Sequence, residues 1–190
     1  MALILNIDTA TEKAGICLAQ DGVSLALAEN LAQKEHAAWL HPAIDQMMKD
    51  TGVRLRDLQA VAVTAGPGSY TGLRVGMAAA KGFCFALDIP LIAEDTLRTM
   101  AFAAKEQLDD VDLLCPMIDA RRMEVFTAMY RGDLSTIMPS TAVVVDPNSF
   151  DPWLQDHRVS FFGDGSGKCK PIIINPRAHF TQVNYHAGYL

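Results

Sequence analysis

From Val75 to Leu87 the chain carries a single charge, Lys81, and its other side chains are apolar or absent. Gly72, Gly76, Ala79, Ala80 and Gly82 keep the stretch thin. As a helix over roughly 71–87 it is apolar on nearly every face, and such a helix must be covered on nearly every face. One face can lie on a β-sheet; the other needs a second cover. Two covers are open. The segment is either simply core, or it joins Trp39, Leu40, Ala43 and Met47 of the preceding helix in a surface that another subunit buries.

An apolar strand, Ala60 to Thr64, leads into this helix through Gly66-Pro67-Gly68-Ser69-Tyr70-Thr71-Gly72-Leu73-Arg74-Val75-Gly76. Glycines permit a tight turn with close backbone approach, and a helix start offers unpaired N–H groups that suit an anion. The stretch is not a P-loop, because no Lys-Ser/Thr pair closes a G-x-x-x-x-G-K frame. It also departs from the dinucleotide pattern, since Thr71 stands where the third glycine belongs. Two roles remain open for Gly66, Gly68 and Ser69: a turn packed too closely for side chains, or a phosphate contact. Asp8, Thr9 and Thr11 pose the same choice, because Asp and Thr are also ordinary turn formers. The run from Asp8 to Thr11 contains no glycine or lysine, and its counterpart Asp119-Ala120-Arg121 lacks the Gly-Thr pair of a second phosphate loop. An intact ATPase is disfavoured.

The order of elements is that of an α/β protein. Apolar runs at 3–7, 14–19 and 23–28, with Asp21-Gly22 as a tight turn, predict three antiparallel strands. Leu40, Ile44, Met47 and Met48 recur at helical spacing from about His36 to Thr51-Gly52, with Pro42 expected to kink the first turns. A strand at 91–93 and a helix over 96–107 follow. Strands are then expected at 113–118, 124–130 and 141–145, a helix near 147–155, a strand at 159–162 and a flexible loop at 163–167. Ile7-Asp8-Thr9-Ala10 before Gly15-Ile16-Cys17-Leu18 resembles Ile118-Asp119-Ala120-Arg121 before Val125-Phe126-Thr127-Ala128. A repeated βββαβα unit predicts two lobes, 1–110 and 111–190, the second cut short in its last layer.

The 190 residues are 50% hydrophobic, which excludes bulk disorder. The net charge of −6 and the scatter of basic residues argue against unaided nucleic-acid binding. The densest basic spots are only Arg54 with Arg56, Arg121 with Arg122, and Lys168 with Lys170. Cys17, Cys84, Cys115 and Cys169 form no C-x-x-C pair, and no disulfide or zinc framework is expected. His36 and His41 stand about 140° apart around a helix, and His157, His179 and His186 are isolated, so no metal site is expected. Ser69 and Ser166 have no histidine–acid pattern that would nominate them as nucleophiles. The start has no basic n-region, and Lys81, Asp88 and Pro90 break the longest apolar stretch. A soluble, cytoplasmic chain with no membrane partner is expected.

Ile4-Leu5-Asn6-Ile7-Asp8-Thr9-Ala10-Thr11, the run from Gly66 to Gly76, and Ile118-Asp119-Ala120-Arg121-Arg122-Met123-Glu124-Val125-Phe126 stand in the order and spacing of the bacterial TsaB (YeaZ, glycoprotease-like) family. The resemblance is strong from Leu3 to about Phe126 and looser through Gly163-Asp164-Gly165. It implies an actin-like (ASKHA, ribonuclease H-like) fold and a part in making threonylcarbamoyladenosine at position 37 of tRNA. In that family the chemistry belongs to a paralogue, TsaD, which carries the metal-binding histidines. TsaB is its non-catalytic scaffold, and the ATPase TsaE completes the machinery. The resemblance further implies a homodimer in isolation, tRNA contact only through the complex, and no cofactor of its own beyond ATP or ADP at the partner interface. The family's dimer surface, built from the first two helices, carries over to Trp39, Leu40, Ala43, Met47, Leu73, Val75, Met77 and Ala80. On that basis Val75→Glu or Ala80→Glu is expected to block association and leave the lobe folded. Family members usually run on to a further helix and strand. The competing expectation is a stand-alone ATP-binding ATPase or phosphotransferase with Asp8, Thr9, Thr11, Gly66, Gly68 and Ser69 around the nucleotide. A metallopeptidase finds no support in the residues.

Overall fold

A computed structural model describes residues 2–31, 35–109 and 111–190. Contacts divide the chain into two units, Met1–Thr96 with His186–Leu190, and Leu97–Tyr185. The first unit holds β1 (Leu3–Asp8), β2 (Ala14–Gln20), β3 (Val23–Asn30), α1 (His36–Thr51), β4 (Ala60–Gly66), α2 (Tyr70–Leu87) and β5 (Leu91–Asp95). Its sheet runs β3-β2-β1-β4-β5, antiparallel across β1–β3 and parallel across β1, β4 and β5. Asp21 and Gly22 take φ of 51° and 81°, the left-handed pair that a two-residue hairpin turn requires.

Alternation along β1 decides where the core lies. Leu3, Leu5 and Ile7 face α1 and α2 and bury with Ile16, Leu18, Val61 and Val63. From the other face, Asn6 donates through Nδ2 to the carbonyl of Ala187 at 3.1 Å, which ties the last residues to this sheet. The first long helix, α1, buries Leu40, Ile44, Met47 and Met48 at the expected spacing and ends at Gly52, whose φ is 70°. Pro42 sits inside a continuous helix on its exposed side. There the carbonyl four residues back loses its amide partner at the surface, where water can replace it.

The second unit repeats the plan. α3 (Thr96–Lys105) precedes β6 (Leu113–Asp119), β7 (Glu124–Arg131) and β8 (Thr136–Val144). Then come α4 (Asp151–Leu154), β9 (Val159–Phe162), α5 (Ser166–Cys169) and β10 (Ala178–Phe180). The sheet order β10-β9-β6-β7-β8 matches the first sheet strand for strand, in pairing sense as well as order. The central strand β6 is buried on both faces. Leu113, Cys115 and Met117 meet Phe150, Leu154 and Phe161 on one side; Leu114 and Ile118 meet Leu97, Met100, Ala101 and Ala104 of α3 on the other.

Those α3 contacts move the division between units. The expected boundary fell at 110/111, where residue 110 lies outside the described residues, whereas the contacts divide at Thr96/Leu97 because α3 spends its apolar face on β6 and Phe162. The last residues also belong to the first unit, in a 3-10 turn over Ala187–Tyr189. The third strand of the second unit begins at Thr136, well before the expected 141. Its first half packs Ile137 and Met138, half-buried, against the core and carries Pro139 and Ser140, which interrupt the apolar pattern.

Leu40 has no exposed surface. Leu40→Ala is expected to destabilise the first unit by about 2–5 kcal/mol, through lost burial plus the cavity left behind. Urea unfolding followed by circular dichroism measures it.

Candidate functional site

The second helix, α2, sits on the sheet by its small residues. Gly72, Gly76, Ala79 and Ala80 are its buried positions, and they recur at helical spacing on one face. A Cβ at Gly72 would collide with the carbonyl oxygen of Thr9, and one at Gly76 with the Thr9 hydroxyl. Thr9, itself buried, donates that hydroxyl to the carbonyl of Gly72 at 2.7 Å. Ser69 caps the helix by accepting from the Gly72 amide at 3.3 Å, and its own amide donates to the Ala10 carbonyl at 2.7 Å. Gly66 and Gly68 take φ of 114° and 156°, and a Cβ on Gly68 would run into the Ala10 carbonyl. Asp8 is buried and accepts, through Oδ1, from the Thr64 hydroxyl at 2.8 Å and the Ala10 amide at 2.9 Å. Thr11 donates to the Lys13 carbonyl at 3.1 Å. Asp8, Thr9, Gly66, Gly68 and Ser69 thus come together around one close contact. The Thr9 and Ala10 carbonyls lie where a Cβ on Gly72 or Gly68 would stand, and the Leu73 side chain lies beside Gly66.

The second unit carries a diverged copy. Gly163-Asp164-Gly165-Ser166 follows β9 as Gly66-Pro67-Gly68-Ser69 follows β4, and Gly163 has φ of 98°. This loop, expected to be flexible, is tightly packed: a Cβ at Gly163 would meet the Met117 carbonyl and the Met100 methyl, and one at Gly165 would meet Ile118. At the hairpin turn, Asp119 accepts from the Arg121 amide at 2.6 Å and pairs with Lys168 of α5, Nζ to Oδ1, at 2.6 Å. Lys168 also donates to the Glu124 carbonyl at 2.7 Å. The Lys168 ammonium holds the Asp119 carboxyl below its ordinary range against the opposing cost of desolvation, with the Arg121 amide adding to the lowering. Arg121 and Arg122 adopt left-handed φ of 72° and 49° in this turn.

With its small residues turned inward, α2 presents its bulk outward. Tyr70 is 68% exposed and Phe85 92% exposed. A groove of about 510 Å³ is lined by Ala65, Tyr70, Leu73, Arg74, Met77, Ala78 and Lys81. The Arg74 guanidinium lies 4.0 Å over the Tyr70 ring, a cation–π contact. Gly82 faces open space.

Of the eight residues expected to form a partner surface, Leu40, Met47 and Ala80 are buried in their own core. Trp39, Ala43 and Val75 are half-buried against that core. Leu73 and Met77 do line the outward groove. Val75 is half-buried, but Ala80→Glu would place a charge in the interior and unfold the lobe it was meant to spare. Tyr70, Arg74, Ala78, Lys81 and Phe85, exposed on α2, are not among those eight. Their spacing from residue 70 follows the helical period, so the signal was present once glycine and alanine are assigned the buried side.

His36 is buried with Nε2 3.2 Å from the Glu12 carbonyl, and His41 packs its ring on Phe83. Among the described residues no three His, Cys, Asp or Glu side chains cluster as metal ligands would. All four cysteines are free thiols, and burial pushes Cys115 up to about 12. No helix among the described residues is long and apolar enough to cross a membrane.

Two five-stranded sheets of one topology, each with an aspartate-bearing hairpin turn set against a Gly-x-Gly-Ser loop, are an actin-like fold. Comparison with known proteins narrows the class. The structure superposes on YeaZ from Pseudomonas aeruginosa with TM-score 0.81 and 28% identity, covering all of this chain and 88% of that one. An uncharacterized protein with similarity to peptidase YEAZ from Pseudomonas aeruginosa gives TM-score 0.85 at 26% identity, with the same coverage. The family model for TsaD, tRNA N6-adenosine threonylcarbamoyltransferase, matches residues 29–149. The tRNA threonylcarbamoyladenosine biosynthesis protein TsaB of Bacillus subtilis is 33% identical over 90% of this chain and 74% of its own length. That of Escherichia coli is 38% identical over 68% of this chain and 55% of its own. The chain belongs to the TsaB family. It spans little more than half the length of the Escherichia coli relative.

The packing predicts opposite signs for two glycines of one helix. Gly72→Ala, pressed on Thr9, is expected to cost about 1–3 kcal/mol, whereas Gly82→Ala, in open space, is expected to gain about 0.5–1 kcal/mol. Denaturant midpoints of the two variants decide it. For Asp119 the folded carboxyl lies below its unfolded value. Its contribution is therefore present above the unfolded pKa and drains away as pH falls through the folded one. Lys168→Met is expected to raise the Asp119 midpoint in a carboxyl NMR titration and to flatten the acid limb of stability.

Proposed function

We propose that the chain is a non-catalytic scaffold subunit in the synthesis of threonylcarbamoyladenosine on tRNA, and that it docks on the catalytic paralogue TsaD through the outward face of α2. The single observation that carries this is the uncovered bulk of that helix: a fully apolar side chain, Phe85, is 92% exposed, and Tyr70, Leu73 and Met77 line a groove on the same helix. Exposed contiguous apolar surface of this kind marks protein–protein contact. The names of the TsaB relatives and the match to the TsaD family model support the pathway.

The hairpin turns support the scaffold role over a stand-alone ATPase. Carbonyls of Thr9 and Ala10 occupy the start of α2, and Lys168 already neutralises Asp119. ATP or ADP, where the assembly uses it, belongs to the face shared with the partner. TsaE joins the same complex, and tRNA reaches the chain through it, which suits a net charge of −6. The site of action is the cytoplasm, and the isolated chain pairs with itself through the same face.

Light scattering after size exclusion tests the proposal, on the chain alone and mixed with its cognate TsaD. The wild type is expected to run as a homodimer that converts to a TsaB–TsaD complex. Phe85→Asp, at a position with no core contacts to lose, is expected to keep its circular dichroism and thermal midpoint and to abolish both associations. A folded Phe85→Asp that binds TsaD as the wild type does would sink the proposal. Micromolar ATP binding by the isolated chain in calorimetry would instead favour the ATPase.

A further inference from the structure

A cavity of about 220 Å³ lies wholly within the second unit, beside β9 and β10 and independent of the docking face on α2. Strand alternation decides which side chains face it. Val159 and Phe161 of β9, with Ala178 and Phe180 of β10, pack into the core on one side of the sheet. Ser160, His179 and Thr181 therefore turn to the other side, where all three line the cavity. His179 stands beside Ser160 in register, and the Thr181 amide continues the ladder by donating to the Phe161 carbonyl at 3.0 Å. Arg158, two residues before Ser160, extends the same wall, and Leu108, Asp109 and Val111 of the segment after α3 form the opposite one.

Two hydroxyls on this wall are unspent. Ser160 is only 4% exposed, and its hydroxyl bonds to none of the described residues. The Thr181 hydroxyl is buried with no partner among them. A hydroxyl left so costs about 1–3 kcal/mol, and it calls for a partner. The charges on the walls are of both signs. The Arg158 Nε lies 3.9 Å from Asp112 Oδ2, a long contact between half-exposed groups, and a guanidinium has donors beyond one ion pair. Asp109, on the opposite wall, is exposed. A lone anion here would meet Asp109, and a lone cation would meet Arg158. A molecule that carries a carboxylate and an ammonium answers both. We propose that the cavity binds a small zwitterion, an α-amino acid with an apolar side chain. Its carboxylate accepts from Arg158, from the Ser160 hydroxyl and, after rotation about χ1, from that of Thr181. The ammonium donates to Asp109, and the side chain lies on Leu108 and Val111. The volume is that of about seven waters at roughly 30 Å³ each. That suits a molecule the size of valine and lies below the range of about 300–1,000 Å³ for larger ligands.

Titration of the isotopically labelled chain with L-valine, followed by amide NMR shifts, tests this. Isovalerate and isobutylamine, which each keep one of its two charges, are the comparison probes. L-valine is expected to shift the amides of Ser160, His179 and Thr181 saturably, in the range of about 1 mM. It is expected to bind about tenfold tighter than either half-molecule, since each of those leaves one wall charge unanswered. Ser160→Ala and Thr181→Val are each expected to weaken L-valine about tenfold. Their thermal midpoints are expected to be no lower than that of the wild type, because neither hydroxyl has a protein partner to lose. Asp109→Asn removes only the partner of the ammonium: L-valine falls to the level of isovalerate, and isovalerate binds no more weakly than before. Shifts that stay linear to about 50 mM L-valine would leave water as the occupant and overturn the proposal. Half-molecules that bind as tightly as L-valine, or an Asp109→Asn chain that binds L-valine as the wild type does, would overturn it as well.

Discussion

Thr9 and the glycines of α2 set the terms for the first unit. The Thr9 carbonyl lies against Gly72, and its hydroxyl reaches the Gly72 carbonyl and the space beside Gly76. A helix drawn that close to a strand end can offer the sheet nothing larger than glycine and alanine along that stripe. Bulk displaced from the inner face has to go outward. Tyr70, Leu73, Met77 and Phe85 are therefore consequences of how α2 is seated, and the exposed groove follows from the same packing that makes the loop glycine-rich. Small buried residues and exposed bulk thus occupy different sides of one helix.

That coupling explains what was legible in the sequence and what was not. The near absence of charge from Val75 to Leu87 left open whether the helix is core or partner surface; its small residues are buried while Phe85 is exposed. Reading which side is which is harder, because hydrophobic scales rank Leu40, Met47 and Ala80 as sticky without saying whether their own core claims them first. Small-residue spacing at 72, 76 and 79/80 carries that information, yet it reads as weak hydrophobicity unless close backbone approach is considered. The strand-to-helix turns and the repeated hairpin were visible because Asp-Gly, Ser caps and alternation are local. The allegiance of α3 was not, since a helix with one apolar stripe fits either unit until its contacts with Leu114, Ile118 and Phe162 exist. The start of β8 was hidden for another reason: Pro139 and Ser140 interrupt its apolar pattern.

The two units show one plan under different demands. Both place Gly-x-Gly-Ser after the fourth strand, and a Cβ on Gly68 would strike the Ala10 backbone as one on Gly163 or Gly165 would strike that of Met117 or Ile118. Beyond that point they part. In the first unit the serine opens an 18-residue helix, in the second a helix of only 4 residues. The short helix brings Lys168 within reach of Asp119, so the second turn is held by an ion pair of modest worth at a half-exposed site. In the first, Asp8 is buried and held by neutral donors, Thr64 and the Ala10 amide. A buried carboxylate satisfied in this way is committed to holding its turn.

Such commitment bears on the docking role proposed for α2. In an actin-like fold the hairpin turns and the loops after the fourth strands are the places with polar backbone to offer a ligand. Here those groups are spent on each other: Ser69 on Gly72 and Ala10, Thr9 on Gly72, Asp119 on Lys168 and Arg121. Polar groups satisfied internally add rigidity and lose availability. The uncovered surface lies elsewhere, on the outer side of α2, where an apolar groove faces outward. Rigid turns behind that helix hold its face in a fixed shape, and a preorganised face loses less entropy on association than one that must order first. The packing that seats α2 by its glycines is thus also what turns its bulk outward.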